Sequence, residues 1–200
     1  QGDSAKNCLF TRDVLARGGI ALGGEANPAP MTSILLASIA IPGRTSVLSE
    51  DLTLHDLTAF AALWSLAIAA LSLLAGLLAY LLMRQATAPR WLILVGSAVA
   101  SFLPLTWYVS GYPIDYGFVN APLVLIALLA SVIVSFAFRA FPLISMTIQT
   151  LTATIVLATW SPLVLIPAAL WLVSAISEPK KIRNFRNWQW WAHLIGMVQL

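Results

Sequence analysis

Residues 57–83 read LTAFAALWSLAIAALSLLAGLLAYLLM, a stretch without a single charged side chain. At about 1.5 Å rise per residue, a helix of this length exceeds the roughly 30 Å hydrocarbon core of a bilayer. Its Ala and Ser positions and Gly76 permit close approach of a second helix. The run predicts a first transmembrane helix.

Working outward, four more apolar stretches follow at 91–109, 120–138, 141–160 and 162–176, the last of them short for a span. A sixth begins in WQWWAHLIGMVQL, 188–200. The basic residues alternate between the connections. Arg84 and Arg90 lie between the first and second stretches, Arg139 between the third and fourth, and Lys180, Lys181, Arg183 and Arg186 after the fifth. The segment 110–119 and the turn at Ser161 carry no Lys or Arg. The positive-inside rule assigns the basic connections to the cytoplasm. Residues 1–56 are then expected on the extracytoplasmic side. The predicted fold class is all-α: a polytopic transmembrane helix bundle of about five to six spans over 57–200. An extracytoplasmic N-terminal segment with short amphipathic helices, 1–56, precedes it.

Composition agrees. Apolar residues make up 60% of the chain and charged residues 10%, against about 25% charged in soluble domains. So little charge cannot cover a soluble globule. The net charge of +3 is spread over loops, so nucleic acid is not an expected partner. Cys8 is the one cysteine and excludes an internal disulfide. The chain opens on Gln1 without a signal-peptide layout, as expected of a piece of a longer protein. Trp91, Trp107, Tyr108, Tyr112 and Trp160, with the group Trp188, Trp190 and Trp191, cluster at span ends and read as interface anchors. Gln149, an amide near mid-span, must find a partner on another helix or touch a substrate.

The outer segment contains two helical pieces. In 7–17, Phe10 and Val14 share one face, while Asp13 and Arg17 stand at i, i+4; Gly18 and Gly19 end the helix. The linker GGEANPAP, 23–30, leads to an apolar run at 31–41, closed by Pro42 and Gly43. That run is too short to span, so it lies in the interface or docks on the bundle. Thr53-Leu54-His55-Asp56 resembles a capping box for the first span. Such a segment can roof a site where a lipid headgroup meets a water-soluble acceptor.

No phosphate-loop, dinucleotide or Ser-His-Asp signature is present. Glu50, Asp51, His55 and Asp56 either hold a metal or form a solvated helix start, where acidic groups suit the dipole. His193 reads as structural. Asp3 and Asp13 stand among Lys6, Arg12, Arg17 and Arg44. A shielded carboxylate can act as a general base, and arginines can hold a phosphate leaving group. The same residues also fit ordinary surface charges.

The order GD…F.RDVLARGG, then PAPMTSILLASI, then YPIDYGFVNAPLVLIALLASVIV and TATIVLATWSPLVLIPAALWLV resembles the integral-membrane glycosyltransferases of the GT-C superfamily. The likeness is to envelope proteins of high-GC Gram-positive bacteria in particular. It implies transfer of a sugar from a polyprenyl-phosphate donor to a glycan or protein acceptor, in the bacterial plasma membrane. Asp3 matches the catalytic base. Arg12 and Arg44 would receive the lipid phosphate, and Tyr112, Asp115 and Tyr116 either line a sugar site or form a polar interfacial loop. Asp13 would help hold a divalent metal ion or simply pair with Arg17. In that family a further span precedes the position of Asp3. The competing readings are a transporter or permease subunit, and a non-catalytic membrane scaffold.

Overall fold

A computed structural model describes residues 3–20, 27, 30–111, 113, 118–138 and 141–177; of residues 3–5, 107, 108 and 177 it describes the backbone. The described residues contain helices and no strand. Among the described residues seven α-helices follow in order: α1 (Asp3–Arg17), α2 (Pro30–Ala40), α3 (Leu52–Gln85), α4 (Arg90–Phe102), α5 (Asn120–Ala137), α6 (Pro142–Trp160) and α7 (Leu165–Ser177). Short 3-10 turns at Arg44–Ser46, Leu103–Leu105 and Ser161–Val164, and a π turn at Trp107–Gly111, join them.

Among the described residues, three helical stretches are long and apolar enough to cross a bilayer: Leu52–Gln85, Asn120–Ala137 and Pro142–Ile176. They mark the chain as a membrane protein. The third is not straight. Ser145 Oγ lies 3.0 Å from Ser174 Oγ, and Met146 packs on Trp171. A continuous helix would hold residues so far apart in sequence tens of ångströms from each other. The chain therefore reverses at Trp160, whose backbone leaves the helical region at φ −158° and ψ 87°; the 3-10 turn Ser161–Val164, with Pro162 in its first turn, leads into α7, and α6 and α7 lie antiparallel.

α3 pairs with α4, and α5 with α6, in the same way, while α5 also packs on α3. α3 stops beyond Arg84, where Thr87 adopts φ 54° and Ala88 N–H closes on the Met83 carbonyl at 3.1 Å. Extended Pro89 then starts α4. Gly76 of α3 faces Ser97 and Ser101 of α4 so closely that an added Cβ would lie 2.1 Å from Ser101 Oγ. α5 and α6 meet through Gln149, whose amide nitrogen, Nε2, donates to the Ser131 carbonyl at 3.0 Å and to Ser135 Oγ. Gln149 thus has its partners on a neighbouring helix, and it is fully buried. Val124 and Leu128 of α5 form a core with Val156 of α6.

Outside that core the helices present bare apolar side chains, among them Leu66, Leu73, Leu94, Val99, Leu151 and Leu172. In water each would forgo the burial free energy of about 25 cal/mol per Å². Against lipid tails it forgoes nothing.

Several boundaries differ from the sequence reading. α1 starts at Asp3, earlier than residue 7, and among its described side chains Asn7 and Thr11 are buried. α3 starts at Leu52 with Asp51 as N-cap and no side-chain cap bond. The capping box is not formed, because Thr53 and Asp56 are engaged elsewhere. The second apolar stretch does not stay α-helical to 109; it breaks at Phe102, before Pro104, which lacks an N–H to donate. Arg139 and residues 178–200, including the expected sixth stretch and His193, lie outside the described residues.

α2 matches the apolar run and docks on the bundle. Its buried face is Thr32, Ser33, Leu36, Ala37 and Ala40. Thr32 Oγ1 donates to Asn120 Oδ1 at 2.7 Å, and Asn120 Nδ2 donates to the Thr159 carbonyl at 3.1 Å. One amide therefore ties α2 to the start of α5 and the end of α6. Because the helices alternate in direction, this end of the bundle is also where α3 begins. Arg84 and Arg90 sit at the opposite end.

Candidate functional site

The roofed end of the bundle brings three charged side chains together from distant parts of the sequence. Asp56, one turn into α3, receives two guanidinium groups. Arg12 of α1 donates through Nε to Asp56 Oδ2 at 3.0 Å, and its Nη2 donates to Thr53 Oγ1 at 3.1 Å. Arg44, in the 3-10 turn after α2, places Nη1 3.3 Å from Asp56 Oδ1. The side chains become more exposed outward from the carboxylate, at 11% for Asp56, 22% for Arg44 and 44% for Arg12.

Local sequence explains the convergence. Gly18 at φ +69° ends α1, so the chain turns back and α2 can lie against α1. Pro42 and Gly43, the latter at φ +77°, reverse the chain after α2 and aim Arg44 at α3. Any residue with a Cβ is strained at that φ. His55 Nε2 donates to the Pro42 carbonyl at 3.2 Å and holds the reversal against α3.

The two arginines line an open groove of about 500 Å³ between α1 and the α2–α3 connection. Its apolar walls come from Leu15 on one side and Ile41, Val47 and Leu52 on the other; Thr45 and Ser49 add hydroxyls. The groove joins a cationic patch to apolar surface at the edge of the membrane bundle, the two halves of an amphiphile's complement. With Asp56 counted, the three side chains carry a net charge of +1.

No family model, curated protein or solved structure matches the chain.

The remaining candidates fall as follows. Asp3 is the first residue of α1, and its side chain is not among those described. Asp13 accepts a bond from Arg17 Nε at 2.6 Å, so its carboxylate is engaged by the i, i+4 partner. Among the described residues no three His, Cys, Asp or Glu side chains gather as a metal site. His55 and Asp56 do approach each other, Nδ1 to Oδ1 at 3.8 Å. Tyr112, Asp115 and Tyr116 lie outside the described residues. At the same end, Phe118 and Trp160 stack with planes 9° apart and centroids 6.1 Å apart.

Cys8 sits behind the charged cluster, lining a small hollow with Asp56, Leu36 and Phe60. Burial pushes its thiol pKa up; the Arg12 charge lowers it and the Asp56 charge raises it. The thiol is therefore a poor nucleophile at neutral pH.

Arg12 and Arg44 were visible in the sequence as cations able to hold phosphate. The sequence marks Thr53 and Asp56 as capping groups, Asp56 also as one of four residues that either hold a metal or form a solvated helix start, and Asn120 only as the start of a span. A signal for Asp56 was present nonetheless: a carboxylate at the mouth of a membrane helix with no basic residue three or four positions away. Such a charge requires a partner from another segment.

Proposed function

We propose that this chain is an integral-membrane glycosyltransferase, or part of one, acting on a polyprenyl-phosphate-linked sugar. The observation that carries the reading is the convergence of Arg12 and Arg44 on one groove with apolar walls. A lipid phosphate needs charge-assisted donors for its head and apolar surface for the first carbons of its tail. Asp3, at the start of the helix that carries Arg12, takes the proton of the acceptor hydroxyl. The acceptor oxygen attacks the anomeric carbon, the bond from that carbon to the phosphate oxygen breaks, and the electron pair leaves on the phosphate. Arg12 and Arg44 stabilise that charge. The acceptor is a glycan or protein of the envelope.

The same reading assigns five crossing legs to α3, α4 with its 3-10 and π continuation, α5, α6 and α7. Their antiparallel pairing supports this count. α4 with its 3-10 turn and α7 with its own each extend about 25 Å, near a bilayer core that thins locally. The roofed end, residues 1–56, faces away from the cytoplasm of a bacterial plasma membrane, and Arg84 and Arg90 face the cytoplasm.

The test is sugar transfer in membranes supplied with polyprenyl-phosphate sugars. Asp3→Asn abolishes turnover, and Arg44→Ala lowers it at least tenfold. Full activity in both variants removes these residues from the reaction and the proposal with them.

A further inference from the structure

Asp56 touches both arginines but does not itself line the groove. Arg12 and Arg44 line the groove, whereas Asp56 lines the small hollow with Cys8 and Phe60. It is the least exposed of the three. Its Oδ2 accepts a hydrogen bond from Arg12 Nε of α1, and its Oδ1 lies 3.3 Å from Arg44 Nη1 of the turn after α2, an ion pair outside hydrogen-bonding geometry. A guanidinium has five N–H donors in a fixed fork. Held at one edge by the carboxylate, it keeps the others for a ligand in the groove.

The two arginines do not depend on Asp56 equally. Arg12 has a second anchor in Thr53 Oγ1. Arg44 has no side-chain partner among the described residues other than Asp56. We infer that Asp56 is a positioning residue for the groove: its carboxylate aims Arg44, and to a smaller degree Arg12, at a phosphate-bearing ligand there. The inference rests on the reading of Arg12 and Arg44 as the phosphate-holding pair. The chemistry recognised is a phosphate group, whether free or at the head of a lipid.

Without the carboxylate, Arg44 loses its orientation and the two guanidiniums repel each other. The site gains a positive charge yet binds phosphate less well. That sign separates positioning from simple charge counting, which predicts tighter binding to Asp56→Asn.

The experiment is calorimetric titration of the detergent-solubilised full chain. One arm uses inorganic phosphate and the other a short-chain phosphatidylglycerol; tighter binding of the lipid shows that the apolar walls contribute. Asp56→Asn weakens binding about tenfold, less than the loss of a direct charge partner costs, because Asp56 acts through Arg44. Asp56→Glu, which keeps the charge, stays within about threefold of wild type. In an Arg44→Ala background, Asp56→Asn adds less than about twofold, because the group it acts through is gone. In an Arg12→Ala background its effect persists. An undiminished loss in the Arg44→Ala background, or wild-type binding by Asp56→Asn, overturns the inference. If Asp56→Asn does not fold, as judged by circular dichroism and gel filtration, Asp56→Glu decides: a loss of tenfold or more overturns it. Wild-type binding by both Arg12→Ala and Arg44→Ala is a different failure, since it removes the groove as an anion site altogether.

Discussion

Gly76→Ala tests the closest helix approach in the bundle. A Cβ at Gly76 would stand 2.1 Å from Ser101 Oγ, 3.2 Å from the Ser97 carbonyl oxygen and 3.5 Å from Ser101 Cβ. The first contact is impossible as it stands. Ser101 Oγ donates to the Ser97 carbonyl at 3.0 Å, so relieving the clash means rotating the hydroxyl and giving up that bond. Polar bonds within membrane proteins average about 0.6 kcal/mol. The second contact involves backbone and requires α4 to shift by a few tenths of an ångström. Overpacking of this kind costs about 1–3 kcal/mol. Alanine's better helix propensity returns about 1 kcal/mol. The expected net cost is about 0.6–2.6 kcal/mol. Ser101→Ala removes the clashing oxygen and leaves the tolerable 3.5 Å contact, so the double variant recovers about 1 kcal/mol of the loss. Stability is read from reversible unfolding in mixed micelles, with all four members of the cycle measured under one condition. Strict additivity of the two substitutions would mean that α3 and α4 do not meet at Gly76 and Ser101, and the antiparallel pair described above would be wrong.

Three other outcomes follow from the same structure. Gln149→Leu should change stability by less than about 1 kcal/mol, because the two lost bonds are offset by removal of the buried Oε1, which has no hydrogen-bond partner; Gln149→Ala leaves a cavity and should cost about 2–4 kcal/mol in the same unfolding assay. Asn120→Ala breaks both bonds of the clamp between α2, α5 and α6, and hydrogen exchange should rise in residues 30–40 well before the core of α5 and α6 responds. Cys8 should be alkylated slowly at neutral pH and faster as pH rises past the ordinary thiol range, since burial raises its pKa; Arg12→Ala removes the one lowering charge and should move that profile to still higher pH. With the folded pKa above the unfolded value, the unfolded chain loses its thiol proton first, so Cys8 contributes less to stability as pH climbs through the unfolded thiol's pKa. The same alkylation with an impermeant reagent in intact cells, with permeabilised controls, reads the side of the membrane on which α1 lies.

The helices themselves were legible because each depends on residues near one another in sequence. The uncharged run at 57–83, the apolar run ahead of Pro42 and Gly43, and the glycine stop after Arg17 are local signals. The i, i+4 pair Asp13–Arg17 was legible for the same reason. The need of Gln149 for a partner was also apparent, since an amide inside apolar helices has no water to bond. Its partners on α5 were not.

Tertiary structure decided what surrounds the groove. Arg12, Arg44 and Asp56 belong to three separate segments, and nothing in their spacing brings them together. Thr53 and Asp56 have the spacing of a capping box, but the cap competes with two guanidiniums. The charge-assisted contacts win, because a shielded carboxylate gains more from two cations than from one backbone N–H. Composition and periodicity alone determined that this is a helical membrane chain: lipid rewards apolar surface wherever it occurs, so the signal is additive along the sequence. A binding groove is not additive. It exists only where the chain's turns carry distant side chains to one place, and here the reversals at Gly18 and Gly43 made that choice.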